Sequence, residues 1–394
     1  HGSVCRDVEQ RMVQAVKEAC QDMVPVTTGA GVGHEDRIME NRRVKLKDGR
    51  QADVRQAYSL VDDAEVESVG PVDPEIGVLR LDREDGGTLA VVYNFACHPI
   101  IGVPRGGNTA DITGFSSRVI EDNLSDGAMA LFLQGCAGDV NPGFYKMVDH
   151  YRDGEPLGNM LGLSTLRALR GIQAREGAVL RIVRETMELP RADLTGRIRE
   201  LEEEQAHLLG SLKGININLK TFLSLYVKYH LAPDFPSYYS YRYMHEEMMG
   251  RDDLSRLDEE NRRSMDAYID NIHAMEQLTR IRINMDLLKR RQAQRDDSGS
   301  DRIEVEVVGV RVGDFRLVTF PGELSVQIGL NIKKRSPHDL TFVAGVTNGY
   351  IYYTPTEEQL ENVGRAQEDS DCLVGPGWQR MFEDKVADIL KRLS

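Results

Sequence analysis

A layered α/β fold is predicted by three features of the chain. Short apolar runs alternate with amphipathic helical stretches and Gly-rich turns from Asp7 to about Leu189. The texture from Leu194 to about Gln294 is almost wholly helical. Strand texture then returns, so the last part of the chain completes the sheet architecture of the first. The predicted division is residues 1–189 as the first part of an α/β (α+β layered) domain, 190–300 as a helical insertion and 301–394 as the second part.

Taken in order, "EQRMVQAVKEAC" has helical spacing, and "EIGVLRLD", "LAVVYNFA" and "AMALFLQG" read as strands. "DITGFSSRVIEDNL" reads as a helix between the last two of these strands. Leu194, Ile198, Leu201, Leu208, Leu212, Ile215, Leu219 and Phe222 form a four-then-three coiled-coil stripe with Gln205 as its polar member. A second run carries Met265, Ile269, Ile272, Leu278, Ile281, Met285 and Leu288 at similar spacing. Between them lies "HLAPDFPSYYSYRYMHEEMMG", where Pro233 and Pro236 break the helix. The expectation is a long antiparallel helical hairpin with an aromatic tip, whose tyrosines either pack against the hairpin or the main domain or form a substrate lid or partner surface. After the break "QRDDSGSD", the run Ile303 to Val312 fits a strand hairpin turning at "VGD", and "DLTFVAGVTNGYIYYTP" supplies a further strand.

Composition bounds the function. Of 394 residues, 41% are apolar and 28% charged, as in ordinary globular proteins. The net charge of −14 argues against a nucleic acid or an anionic membrane as the main partner. Cys5, Cys20, Cys97, Cys136 and Cys372 are scattered and lack CxxC spacing, which suggests reduced thiols and a cytoplasmic protein. The chain opens at His1 without an initiator Met, so secretion stays open. No apolar run approaches the roughly 20 residues of a membrane span.

Polar groups gather where the apolar runs end. His98 in "NFACHPIIG" stands at the mouth of a strand, held there by Pro99. Alone it reads as a hydrogen-bonded structural histidine or as a ligand. Asp111 in "ADITG" begins a helix, where it either caps backbone N–H groups or orients a metal-bound histidine. "LFLQGCAGDVNPG" offers Asp139 and Asn141 in a turn that Gly135 and Gly138 open to close backbone approach, without the ending of a phosphate loop. "TFPGE" presents Glu323, and "TNGYIYYTP" ends another strand in tyrosines. Four strand ends thus each deliver a group that zinc or acid–base chemistry can use.

Together, "NFACHP", "ADITGF", "LFLQGCAGDVNP", "PGE" and "TNGYIYYTP" resemble the catalytic domain of the neutral/alkaline ceramidases and the broader set of bacterial ceramidase-like proteins. The resemblance implies a fold of the neutral ceramidase type and a zinc-dependent amidase that cleaves an N-acyl bond of a small or lipid-like substrate. It makes His98, Glu323 and Tyr353 zinc ligands. The family's upstream His-Thr-His-Ser-Gly-Pro motif has no counterpart, and His1 stands either as its remnant or as an extraneous residue. Asn141 replaces the family's loop serine, and Gly364 and Arg365 stand near the place of a further tyrosine. Asn141 cannot be a nucleophile but can donate to an oxyanion, which points to a water-first hydrolysis with Asn141, Asp139 and Asp111 around the reacting centre. A different class, a metal-containing scaffold that uses the hairpin for partners or self-association, is the competing reading.

Overall fold

The computed structural model describes residues 2–54, 61–124, 127–143, 151–236, 239–362 and 366–394. Helix α1 (Gly2–Gln21) is followed by strands β1 (Val26–His34), β2 (Met39–Asn41), β3 (Arg43–Leu46), β4 (Gln51–Asp53), β5 (Val66–Val69), β6 (Glu75–Arg83) and β7 (Thr88–Phe95). Next come α2 (Asp111–Asp122), β8 (Met129–Gln134), β9 (Val140–Pro142), α3 (Glu155–Leu169) and β10 (Leu180–Pro190). The helical stretch comprises α4 (Thr195–Ser211), α5 (Leu219–Leu231), α6 (Tyr241–Met248) and α7 (Asp253–Ser298). The chain continues with β11 (Arg302–Val312), β12 (Phe315–Thr319), β13 (Glu323–Leu324), α8 (Val326–Arg335), β14 (Thr341–Ala344) and β15 (Tyr353–Thr354). It ends with α9 (Glu357–Leu360), α10 (Gln367–Ser370) and α11 (Trp378–Arg392).

Two four-stranded sheets carry the architecture, in the orders β1-β6-β7-β8 and β10-β11-β12-β14. Each is antiparallel except for one terminal pair: β7 runs parallel to β8, and β12 parallel to β14. The strands alternate as their period of two requires. Val91, Tyr93 and Phe95 of β7 bury against Ile112 and Ile120 of α2 and Leu157 and Leu161 of α3. Val92 turns the other way, into a core with Phe315, Leu317 and Phe342 of the second sheet. Val305, Val307, Val318 and Val343 of that sheet meet Trp378, Phe382, Val386 and Ile389 of α11 on its far face. The result is four layers: helices, sheet, sheet, helices. The expected turn at "VGD" is present, with Val312 paired to Phe315 and Gly313 at φ 59°, a conformation that favours glycine.

The helical stretch differs from its predicted pattern in two places. The stripe from Leu194 to Phe222 is not one helix: α4 stops at Ser211, Leu212 is extended (ψ 128°), and Asn271 bonds both the N–H and the C=O of Lys213. Leu201 packs with Ile281, Met285 and Leu288 of α7, flanked by Leu194, Ile198 and Leu208, whereas Leu212, Ile215 and Leu219 are exposed. Helix α7 also runs through the expected break at Gln294 and ends at Ser298, where Gly299 takes φ 60°. Its 46 residues correspond to a rod of ~69 Å. Of the aromatic tip, the Tyr243 hydroxyl joins that of Tyr229 on the buried carboxylate of Asp258, while Tyr239 and Tyr241 are exposed. Tyr238 lies outside the described residues. Among the described residues no helix is long and apolar enough to cross a membrane.

Glu35, just after β1, fastens that strand to α3. Its carboxylate accepts from the backbone N–H of Arg37 at 3.0 Å, from the Arg37 guanidinium at 2.9 and 2.5 Å, and from Ser164 at 2.7 Å. Burial alone would raise its pKa, but these donors outweigh it and bring the group down to about 2. The stabilisation is therefore complete above the ordinary carboxylate range and is lost as pH falls from about 4.5 towards about 2. Because the Arg37 side chain is exposed, the expected worth is about 1–2 kcal/mol rather than the full shift. In urea unfolding, Glu35→Gln should be less stable than the parent by that amount at pH 7, with the difference shrinking between pH 4.5 and pH 3.

Candidate active site at the strand ends

The carboxyl ends of the two parallel strand pairs meet. Gly345 N–H donates to Gln134 O at 2.9 Å, tying the end of β14 to the end of β8 across the sheets. Phe320 N–H donates to Ala344 O at 2.8 Å, and Gly135 N–H to Phe95 O at 2.8 Å. The four segments that leave these strands therefore share one edge, and the expected groups emerge there. This is where layered α/β folds place ligands.

His98 follows β7 by three residues. Its ring Nδ1 and its backbone N–H both face Val140 O, at 3.0 and 3.1 Å. A carbonyl can only accept, so Nδ1 carries a proton and Nε2 is turned to the site. Nε2 lies 2.7 Å from Glu323 Oε2. Glu323 opens β13, paired in register with Tyr353 of β15. Its other oxygen, Oε1, accepts from the Tyr350 hydroxyl. Burial would raise the Glu323 carboxyl, but His98, Tyr350 and Arg42 hold it below the ordinary carboxylate range. The Tyr353 ring stands 6.3 Å from the imidazole, centroid to centroid, and burial pushes its phenol up against the pull of Arg42. The structure thus brings His98, Glu323 and Tyr353 together.

Asn141 lies beside them and is fully buried. Arg42 donates to its Oδ1 at 2.9 Å and also to Gly138 O at 2.5 Å. That contact orients the amide, because guanidinium N–H groups need an acceptor. The opposite atom, Asn141 Nδ2, is a buried donor without a hydrogen-bond partner. Arg42 is itself wholly buried, its charge paired with Glu368 and its guanidinium 5.4 Å from the centre of the Tyr353 ring.

Asp139 and Asp111 have other partners. Asp139 Oδ1 accepts from Val326 N–H at 2.8 Å, at the start of α8, and Oδ2 takes a longer contact from Gln359 at 3.4 Å. Asp111, at φ 56°, accepts from Gly102 N–H and Ile112 N–H, at 2.5 and 2.8 Å, and so holds the loop after His98. The orienting bond to the imidazole comes from Val140. His1, Gly364 and Arg365 lie outside the described residues. Arg42, Glu368 and Tyr350 were not singled out from the sequence. Tyr350 lay within "TNGYIYYTP", but Arg42 sits in "ENRRVKLKDGR", which reads as a solvated charged segment.

The donor set fits a zinc ion as far as the described residues go. An imidazole nitrogen, a carboxylate and a phenol suit a borderline cation, and the bond from Nδ1 to a backbone carbonyl is the anchoring that metal-bound histidines usually have. Among the described residues no group of three or more His, Cys, Asp or Glu side chains gathers to hold a metal.

Comparison with known proteins gives the fold the same character. No family model matches the chain, and no curated protein does. The solved neutral ceramidase from Pseudomonas aeruginosa superposes with a TM-score of 0.51 at 15% identity, covering 97% of this chain and 55% of that one. A ceramidase complexed with C2 gives a TM-score of 0.50 at 14% identity, covering 94% and 54%. The chain spans about half the length of each. The protein therefore has a ceramidase-like α/β fold.

The loop that carries Asn141 is closed by a glycine. A Cβ at Gly138 would stand 2.6 Å from Glu323 O, and Gly138 N–H donates to Leu324 O at 2.8 Å. Gly138→Ala should cost about 1–3 kcal/mol in denaturant unfolding, the range for forced overpacking. Gly143→Ala, where the nearest atom among the described residues is 3.7 Å away, should leave stability unchanged.

Proposed function

We propose that the protein is a ceramidase-like, zinc-dependent hydrolase of an amide bond in an N-acyl, lipid-like substrate. The observation that carries this reading is the meeting of His98 Nε2 and Glu323 Oε2 beside Tyr353 and the unpartnered Asn141 donor. His98, Glu323 and Tyr353 would hold the ion, with any further ligand coming from beyond the described residues, where His1 lies. When bound, zinc polarises a carbonyl and acidifies a water molecule.

The chain's own groups do the rest. Val140 O keeps the imidazole in the tautomer that frees Nε2. Tyr350 occupies Glu323 Oε1 and so leaves Oε2 facing the site. Arg42 holds the Asn141 amide so that Nδ2 is presented as a donor to the carbonyl oxygen, where negative charge grows as water adds. The C–N bond then breaks as the two protons of the attacking water pass to the leaving nitrogen, giving a carboxylate and an ammonium. No hydroxyl nucleophile stands at Asn141, so water makes the attack directly.

Purified protein should contain near-stoichiometric zinc, and chelation should abolish hydrolysis of N-acyl substrates of short or long chain. His98→Ala should lose both the metal and turnover; a variant that kept both would remove histidine from the shell. Asn141→Asp keeps the contact to Arg42 but supplies no amide donor. It should lower kcat by about 10²–10³, the loss seen when one oxyanion donor is removed.

A second reading is a metal-holding scaffold that associates through its helical insertion. It is favoured by an exposed row on α5: Leu219, Leu223, Val227 and Leu231, spaced four apart. Folded protein without metal or turnover, dimeric until these residues are made polar, would establish it.

A further inference from the structure

Among the described residues, Arg291 ties the candidate site to the long helix. Arg291, in the last third of α7, is buried, with its guanidinium carbon 3.2 Å from the centre of the Tyr352 ring. The same guanidinium donates twice to Asp371 Oδ1, at 2.8 and 2.5 Å, and once to Gln294 at 3.2 Å. Tyr352 sits at φ 65°, a left-handed conformation that a tyrosine adopts at a cost and keeps only when its surroundings hold it.

Two of these partners, Tyr352 and Asp371, are joined to the site. Tyr352 O accepts from Glu323 N–H at 2.9 Å, and its ring meets that of Tyr350 edge-on, with centroids 5.0 Å apart and planes at 65°. The Tyr350 hydroxyl is bonded to Glu323. Asp371 O accepts from Tyr353 N–H at 3.1 Å. One planar cation therefore holds the segment between Tyr350 and Tyr353 by ring stacking on one side and through Asp371 on the other. A lysine could keep the ion pair but has no plane to stack.

We propose that Arg291 is a positioning residue: from α7 it fixes the Tyr350–Tyr353 segment, and through it sets where the carboxylate of Glu323 and the phenol of Tyr353 stand. The inference rests on the hydrolase reading for its effect on turnover, but not for its effect on the segment itself.

The test compares Arg291→Ala, Arg291→Lys and the neighbouring Arg290→Ala, whose side chain bonds Asp286 O of its own helix. Three readouts are taken on the full chain: amide hydrogen exchange, zinc affinity by competition with a chelator, and steady-state hydrolysis. Arg291→Ala should speed exchange at residues 351–354 at least tenfold while β12 and β7 exchange as in the parent. Zinc affinity should fall about 10–100-fold, the loss typical of removing a group that orients a metal ligand, and kcat should fall similarly with KM nearly constant. Arg291→Lys should be intermediate and Arg290→Ala unchanged. Exchange at 351–354 within twofold of the parent, or quickened equally throughout both sheets, overturns the proposal. If the parent binds no zinc and hydrolyses nothing, the hydrolase reading fails while the exchange comparison still decides the role of Arg291.

Discussion

Asn94 sits near the end of β7, enclosed by protein, and its amide nitrogen donates to two carbonyls: Leu133 of β8 at 3.1 Å and Val343 of β14 at 3.1 Å. The first lies in its own sheet and the second in the facing one. A buried amide that found only one partner would cost free energy, so both strand ends are held where this side chain can reach them. Everything at the candidate site inherits that constraint. His98, the Gly135–Asn141 loop, Glu323 and Tyr353 all follow strands whose ends this amide and the Gly345 contact bring to one edge. The helices on the outer faces fill the layers, but the shared edge comes from the polar stitch between the sheets.

Burying polar groups around such an edge is expensive, and the chain does it in pairs. Arg42 and Arg43 are both inaccessible, matched by Glu368 and Asp369 at α10. Burial pushes the Asp369 carboxyl up to about 6 even though Arg43 pulls it down, which shows desolvation to be the larger effect there. Buried ion pairs of this kind contribute little net stability relative to well-packed apolar groups. Their value here is geometric: Arg42 reaches the Asn141 loop and the face of Tyr353 at the same time, and Glu368 balances its charge.

The sheets were legible because burial on one or both faces forces a period of two and selects β-branched residues, as in "LAVVYNFA" and "IEVEVVGVRV". His98, Glu323 and the tyrosines were legible because Pro and Gly punctuate the strand ends that carry them. The break after α4 was not. Ile215 and Leu219 preserve the seam spacing although both are exposed, and periodicity alone does not say what lies opposite; the helix stops where the Asn271 side chain takes over the backbone of Lys213. Arg42 was hidden for a related reason. An arginine among lysines and glutamates looks solvated, and only a distant acid brought close by the fold makes it internal. Arg291 was invisible in the same way on a helix whose exposed faces are richly charged.

The Asn141 amide has one end fixed. With Oδ1 engaged by a guanidinium that cannot give up its proton, the group is unable to turn over and offer a lone pair outward. A group placed at its free end would have to supply electrons rather than hydrogens, so a carbonyl or an anion would suit it and an ammonium would not. A single buried cation thus gives this small stretch of the interior a permanent polarity.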